Sequence, residues 1–498
     1  MKKRKILVLG GGTAGWFTAL FVKKYFPNDE VTLAESKKIG VIGVGEATTP
    51  HIVSFLLEEL NIQPLEVIRY TQGSVKNGIS FENWNGDGEK YFHPFRDLNE
   101  FDPFQIPPLY SWDCYNFYLK TLVKRNLDFK EYSFNTKLSY MNKVNTSKTL
   151  YALHFDASVL VKWLARVGSE RGIIHVDDTY VSASKHPKGP ITGVRFKKNG
   201  IIKCDFVFDC SGLMRHIIQK TYKQKWISYK KHLPLDKAIV CSRKYKKKEE
   251  IFPYTKCTAL KYGWMFQIPL QHRIGRGYIF DSSYITSAQA QREVEKTFKE
   301  KITVTKTIDF EAGRMENFWV HNCMAVGLSS SFIEPLESTS IYLTIAQLTT
   351  LKQFLDNMFS RDEDLVKLFN TNVGDSFDDT MNFIYLHYLT KRKDSPFWKE
   401  FRKKHPVPEI LKERLPLLEK CKLNPFNFRQ NTQASFSLFS YIHIARGLKL
   451  FKSAPSMESY HNLTPSVEHY KIMVDKVTKE SMTHKKFLKI INDISTTD

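Results

Sequence analysis

The chain has 498 residues, 42% of them hydrophobic and 25% charged, which fits a globular protein of about three domain-sized units with a substantial core. Its net charge of +22 raises the question of nucleic acid. The positive charge is spread along the whole chain, and no helix-turn-helix, zinc-finger spacing or aromatic RNA-binding strand accompanies it. This argues against a nucleic-acid reader and favours a lysine-rich surface that attracts anions.

Lys5-Ile6-Leu7-Val8-Leu9 is a short apolar run of the kind that forms a fully buried parallel strand. Gly10-Gly11-Gly12-Thr13-Ala14-Gly15 follows at once, and Ala14 to Tyr25 reads as a helix, with Phe17, Leu20, Phe21 and Lys24 at helical spacing. Val31-Thr32-Leu33-Ala34 is a second strand that ends on Glu35. Lysines followed by apolar residues superficially resemble a signal peptide, but four glycines and two threonines between Ile6 and Val22 make a poor hydrophobic segment. Gly10 permits a tight turn, Gly12 lets the backbone approach a pyrophosphate, and Gly15 lets the helix pack near the strand. The helix start offers free N–H groups to that pyrophosphate. Glu35, 20 residues after Gly15, stands where an acidic residue accepts hydrogen bonds from a ribose. A dinucleotide site is expected here.

Gly43-Val44-Gly45-Glu46-Ala47-Thr48-Thr49-Pro50 is a further loop that permits close backbone approach. Lys76 by itself would be one more surface lysine, and His93 a generic loop histidine. Phe206-Val207-Phe208-Asp209 reads as a strand running into the turn Cys210-Ser211-Gly212. Cys323-Met324-Ala325-Val326 reads as another buried strand, and the residues from Ser338 onward look helical. The part from about Ser376 is aromatic-rich and helical in character. Seven scattered cysteines without a Cys-x-x-Cys pair indicate a reducing compartment, no disulfide framework and no zinc or other metal site. No segment reaches the ~18 apolar residues of a membrane span, so a cytoplasmic protein is expected.

Gly10-Gly11-Gly12-Thr13-Ala14-Gly15-Trp16 followed by Gly43-Val44-Gly45-Glu46-Ala47-Thr48 resembles the flavin-dependent halogenases of the tryptophan-halogenase-like family. The segment Gly327-Leu328-Ser329-Ser330-Ser331-Phe332-Ile333-Glu334-Pro335-Leu336-Glu337-Ser338-Thr339 is similar to the family's flavin and halide segment. Lys76 precedes Asn83-Trp84 in the register of the family's catalytic lysine. The resemblance implies an α/β fold with a Rossmann-type FAD-binding core like that of flavin monooxygenases, an interwoven substrate-side sheet and a helical C-terminal region. The expected division is 1–375 for the FAD-binding domain with inserted substrate-side segments and 376–498 for a mainly helical capping region.

The resemblance also implies residue roles. Gly10, Gly12, Thr13, Ala14, Gly15, Glu35, Gly45, Glu46, Ala47, Gly327 and Leu336 would hold FAD. Ser338, Thr339 and Ser340 would hold a halide, Lys76 and Glu337 would be catalytic, and His93, Phe95 and Phe439 would line the substrate pocket. FAD would act as FADH2 with O2 and chloride, bromide or iodide to make hypohalous acid, which travels to Lys76 and from there to an electron-rich carbon. A single glycine loop without a second nicotinamide-binding unit implies a separate flavin reductase as partner. The other expected partners are a small aromatic substrate and further copies of the chain; no nucleic acid and no membrane are expected.

Two departures widen the reading. The family's Trp-x-Trp-x-Ile-Pro stands here as Trp264-Met265-Phe266-Gln267-Ile268-Pro269, which keeps a flavin hydroxylase on the same scaffold as an alternative. No Trp follows Trp398, so the family's stacking tryptophan near Phe436–Ile442 is absent, and other indoles and phenols join free tryptophan as expected substrates. A non-enzymatic dinucleotide-binding protein with a basic surface is the third reading, and it has no use for Lys76 or Glu337.

Overall fold

The computed structural model describes residues 3–40, 45–95, 122, 126–187, 189–360, 362–420, 422–423, 428, 436–452 and 464–494, without the side chains of 129 and 464–470. Gly43 and Val44 of the second loop lie outside the described residues. The chain forms two compact units, each entered three times: residues 1–71, 155–230 and 310–378 in the first, and 72–154, 231–309 and 379–498 in the second.

The first unit is built on a six-stranded sheet. Its centre is β1 (Lys5–Leu9), with β2 (Glu30–Glu35) on one side and Phe206–Asp209 on the other, both parallel to it. Ile174–Asp177 extends the sheet beyond β2, and Cys323–Ala325 extends it beyond Phe206–Asp209, again in parallel. The apolar run of β1 follows from cover on both faces. Leu7 and Leu9 join Ile191, Val194 and Phe196 from the three-stranded meander Tyr180–Lys185, Ile191–Phe196 and Gly200–Lys203. The alternation of side chains along a strand sends Ile6 and Val8 the other way. Helix α1 (Thr13–Tyr25) packs against β1, β2 and the helix Ala157–Glu170. It buries Trp16, Phe17, Leu20, Phe21 and Val22, each worth about 1.5–3 kcal/mol of hydrophobic stabilisation. Gly168 makes room for this packing, since a Cβ there would stand 2.5 Å from the Trp16 ring.

The second unit contains a seven-stranded sheet in the spatial order Lys306–Asp309, Lys237–Arg243, Ile274–Phe280, Gly263–Pro269, Thr255–Leu260, Gly78–Glu82, Lys90–Pro94. All neighbours are antiparallel except Thr255–Leu260 and Gly78–Glu82. The short strand Ser74–Lys76 pairs antiparallel with residues 152–154. The residues after 379 are mainly helical, with Pro396–Lys404, Glu409–Glu419, Leu438–Gly447, Thr464–Glu480 and His484–Asp493. Among the described residues, no helix is long and apolar enough to cross a membrane.

Candidate functional site

In the first unit the glycine loop sits at the carboxyl end of β1, next to the turn at the carboxyl end of Phe206–Asp209. Open parallel sheets bind ligands in that crevice. Gly10 has φ +116, and a Cβ on it would stand 2.2 Å from the Cys210 carbonyl oxygen. A Cβ on Gly15 would meet the Gly10 carbonyl at 1.9 Å. Gly12 is different, because a Cβ there would meet nothing within 4 Å. Gly10 and Gly15 are thus required by the protein itself, whereas Gly12 leaves open space at the start of α1. Gly12 caps α1 without a side-chain hydrogen bond, and no acidic residue follows in the first turn, so the N–H groups around Thr13 and Ala14 face that space. Absence of a side chain beside free helix-start donors fits a pyrophosphate.

Glu35 ends β2 as expected, but its carboxylate is already organised. Oε1 accepts from His175 Nε2 at 2.8 Å, and the group lies over Gly11, where a Cβ would stand 2.0 Å from it. His175 in turn meets Trp16 edge-on at 5.1 Å. Gly11 and His175 are therefore part of the cradle and were missed by the spacing rule, which considers only alternate glycines and the acid.

Gly45 is buried, and Glu46 and Ala47 form a two-residue strand beyond it. Burial, and then the negative charge of Asp156, push the Glu46 carboxyl up to about 7. Just downstream, His51 packs on Tyr342 at 4.8 Å. Tyr342 belongs to the helix Thr339–Leu351, so the second loop and the late motif meet in space. The late motif also touches the first: a Cβ on Gly327 would stand 2.5 Å from the Ala14 Cβ. The late motif, hundreds of residues downstream, thus meets both the start of α1 and the segment that follows the second loop.

Within the late motif, Pro335–Glu337 form one turn of 3₁₀ helix with Leu336 and Glu337 buried. Ser338 then takes the left-handed conformation, φ +62, and caps Thr339–Leu351 with no side-chain hydrogen bond to the helix. The Thr339 hydroxyl donates to the Ile333 and Glu334 carbonyls at 3.2 and 3.1 Å, which fixes the turn. Ser338 and Thr339 are buried and Ser340 is half-buried at this helix start. A helix N-terminus of this kind suits a small anion.

In the second unit, Lys76 is fully buried, and its Nζ lies 5.2 Å from the centre of the Phe95 ring. The Phe95 backbone is held from both sides: its N–H donates to the Asn77 carbonyl at 3.0 Å, and its carbonyl accepts from Asn135 Nδ2 at 3.0 Å. His93 packs at 5.9 Å from Phe383 and 6.2 Å from His443, and His443 packs at 4.4 Å from Phe439. Phe383 stacks on Phe436 at 4.0 Å. The structure thus gathers His93 and Phe439 in one aromatic cluster with Phe383, Phe436 and His443. Phe266 lies flat on Gly277, where a Cβ would stand 2.3 Å from its ring, and it points to the same side of its strand as the buried Trp264. Lys76 and Glu337 belong to different units.

A parallel sheet with a glycine cradle at its carboxyl end defines a dinucleotide-binding protein of the Rossmann type. This chain belongs to the tryptophan halogenase family, the flavin-dependent halogenases, whose family pattern matches residues 5–462. It is 31% identical over 490 residues to the tryptophan 7-halogenase RebH of Lentzea aerocolonigenes, covering 92% of each chain. It is 31% identical over 442 residues to the tryptophan 6-halogenase SttH of Streptomyces toxytricini, covering 82% of this chain and 83% of that one. Its structure superimposes on BrvH, a flavin-dependent halogenase from Brevundimonas sp. BAL3, with a TM-score of 0.85 at 27% identity over 99% of each chain.

Proposed function

We propose that this enzyme converts a halide to hypohalous acid with FADH2 and O2 and delivers the halogen through Lys76 to an electron-rich aromatic substrate. The observation that carries this reading is the complete burial of Lys76 with its amine over the Phe95 ring. A solvated structural lysine would not be withdrawn from water in this way.

The residues divide the work. Gly10, Gly12, Thr13, Ala14 and Gly15 hold the pyrophosphate, Glu35 the ribose, and Gly45, Glu46, Ala47, Gly327 and Leu336 the remainder of FAD. The backbone at Ser338, Thr339 and Ser340 holds chloride, bromide or iodide. Reduced flavin, when bound, supplies with O2 the oxidising equivalent for the halide. At Lys76 the amine nitrogen attacks the halogen of HOX, the halogen–oxygen bond breaks, and water leaves with the displaced proton. The aromatic carbon then takes the halogen from nitrogen, and its ring proton is removed with help from Glu337. His93, Phe95 and Phe439 position the ring in the aromatic cluster.

We assign residues 1–375 to FAD binding with inserted substrate-side segments and 376–498 to capping the substrate. A separate reductase supplies FADH2, the chain acts in the cytoplasm, and copies of it associate. The relatives named as tryptophan 6- and 7-halogenases support an indole substrate. The absence of a tryptophan after Trp398 leaves other indoles and phenols as further substrates. The test is the enzyme with FAD, NADH, a flavin reductase, each halide in turn and a panel of indoles and phenols. A product mass increased by halogen supports the reading, and one increased by oxygen instead supports hydroxylation past Phe266.

A further inference from the structure

The strand that carries Lys76 is short and lies at the edge of its small sheet, so backbone pairing on one side alone holds it. The rest of its support comes from elsewhere. The Ser74 hydroxyl donates its one proton to the Pro269 carbonyl at 2.6 Å. It can therefore only accept from His154 Nδ1, 2.9 Å away, which must carry hydrogen. His154 Nε2 then accepts from the Thr255 hydroxyl at 2.9 Å. On the open edge, the Val75 N–H donates to His484 Nε2 at 3.1 Å. His484 Nδ1 faces the Ile251 carbonyl at 2.9 Å and must donate to it. Asn77 completes the support, with its N–H on the Pro253 carbonyl at 2.7 Å and Nδ2 on the Lys143 carbonyl at 3.1 Å.

Both imidazoles are thus fully buried, neutral Nδ1–H tautomers with each ring nitrogen in use. Burial above all holds His154 well below its ordinary value, and burial brings His484 to about 4. A neutral acceptor has a chemical advantage at this place. A carboxylate would satisfy the same N–H, but as an anion beside Lys76 it would favour the protonated amine, which cannot attack HOX.

His484 opens the last helix, His484–Asp493. Its own N–H donates to the Asn142 carbonyl at 2.9 Å, and the preceding Met482–Thr483 pairs with Lys143–Val144. We propose that His484 is a positioning residue for Lys76: the C-terminal segment reaches back to the edge of the lysine strand and fixes where the amine stands during halogen transfer. The inference rests on the role of Lys76 given above.

The test compares wild type, His484→Ala and His484→Gln as full-length enzymes with FAD, NADH, a flavin reductase, bromide and tryptophan or indole. Haloarene is measured by mass, and escaping hypohalous acid is trapped with monochlorodimedone. Misplacing a reacting group by 1 Å costs up to about 100-fold, so His484→Ala should lose about tenfold or more in haloarene formed per hypohalous acid made. Halide oxidation itself should stay near wild type. Gln, whose side-chain oxygen can accept from the Val75 N–H, should restore most of the transfer. If His484→Ala does not fold, His484→Phe fills the space without an acceptor and carries the same expectation. Wild-type transfer in the Ala or Phe variant, an equal loss in the Gln variant, or a parallel fall of halide oxidation and transfer would each overturn the proposal. Lys76→Ala is run beside them: continued halogenation there defeats the role of Lys76, whereas its loss beside wild-type His484→Ala defeats only the positioning.

Discussion

The two units keep their chemistry in different parts of the chain. In the first, the proposed ligand groups are mainly backbone N–H groups around glycines and helix starts, at Gly12 and at Ser338, joined by the Glu35 and Glu337 carboxylates. In the second they are side chains, with Lys76 over Phe95 and His93 beside His443. A backbone site is written locally, as glycine spacing after a strand. A side-chain site is assembled from residues far apart, and only its parts can be read.

The largest expected effect breaks the backbone site. Gly15→Ala places a methyl group 1.9 Å from the Gly10 carbonyl, so folded, FAD-binding protein should be lost, by a destabilisation of more than about 3 kcal/mol read from yield and thermal melting. Next comes Glu337→Gln, which should lower haloarene formation about 100-fold, in the range for a lost acid–base group, with folding unchanged. Gly12→Ala sharpens the contrast with Gly15. A methyl group at Gly12 meets nothing within 4 Å, so the melting temperature without FAD should stay at the wild-type value. FAD affinity, measured by fluorescence quenching, should fall about tenfold, or 1.4 kcal/mol.

A last effect distinguishes the units by the sign of a pH dependence. The Glu46 carboxyl is raised from 4.5 to about 7, so the folded protein holds its proton longer than the unfolded chain does. This contribution is complete below pH 4.5 and is lost as pH rises through about 7. His484 is lowered from 6.5 to about 4, so its contribution is present above pH 6.5 and lost as pH falls through about 4. Melting curves from pH 4 to 8 should show Glu46→Gln gaining on wild type as pH rises and His484→Gln gaining as pH falls.

The difference between the units also explains what the sequence disclosed. β1 and β2 are found where an apolar run and a glycine loop placed them, and the late helix begins at Thr339 beside the residues that announced it. A dinucleotide-binding fold was legible because glycine spacing carries its own mechanical reason, whereas FAD and the family were read from the resemblance of the longer motifs. His175 was not legible, since it reaches Glu35 only through parallel pairing of Ile174–Asp177 with β2. His154 and His484 were silent as well: one faces Ser74 across an antiparallel pair, and the other arrives from 409 residues downstream to meet Val75. Periodicity cannot disclose a hydrogen bond of that range. Lys76 itself was found only by family register, because nothing local distinguishes it from the other lysines of a basic chain.

The central claim is that the oxidant is made at the flavin and that its halogen is transferred through Lys76. Its most direct test is Lys76→Ala supplied with FADH2, O2, bromide and tryptophan or indole, with hypohalous acid trapped and haloarene measured in the same reaction. The account predicts hypohalous acid at the wild-type rate and loss of enzyme-directed haloarene. Haloarene formed at the wild-type rate and position, or loss of hypohalous acid together with haloarene, would contradict it.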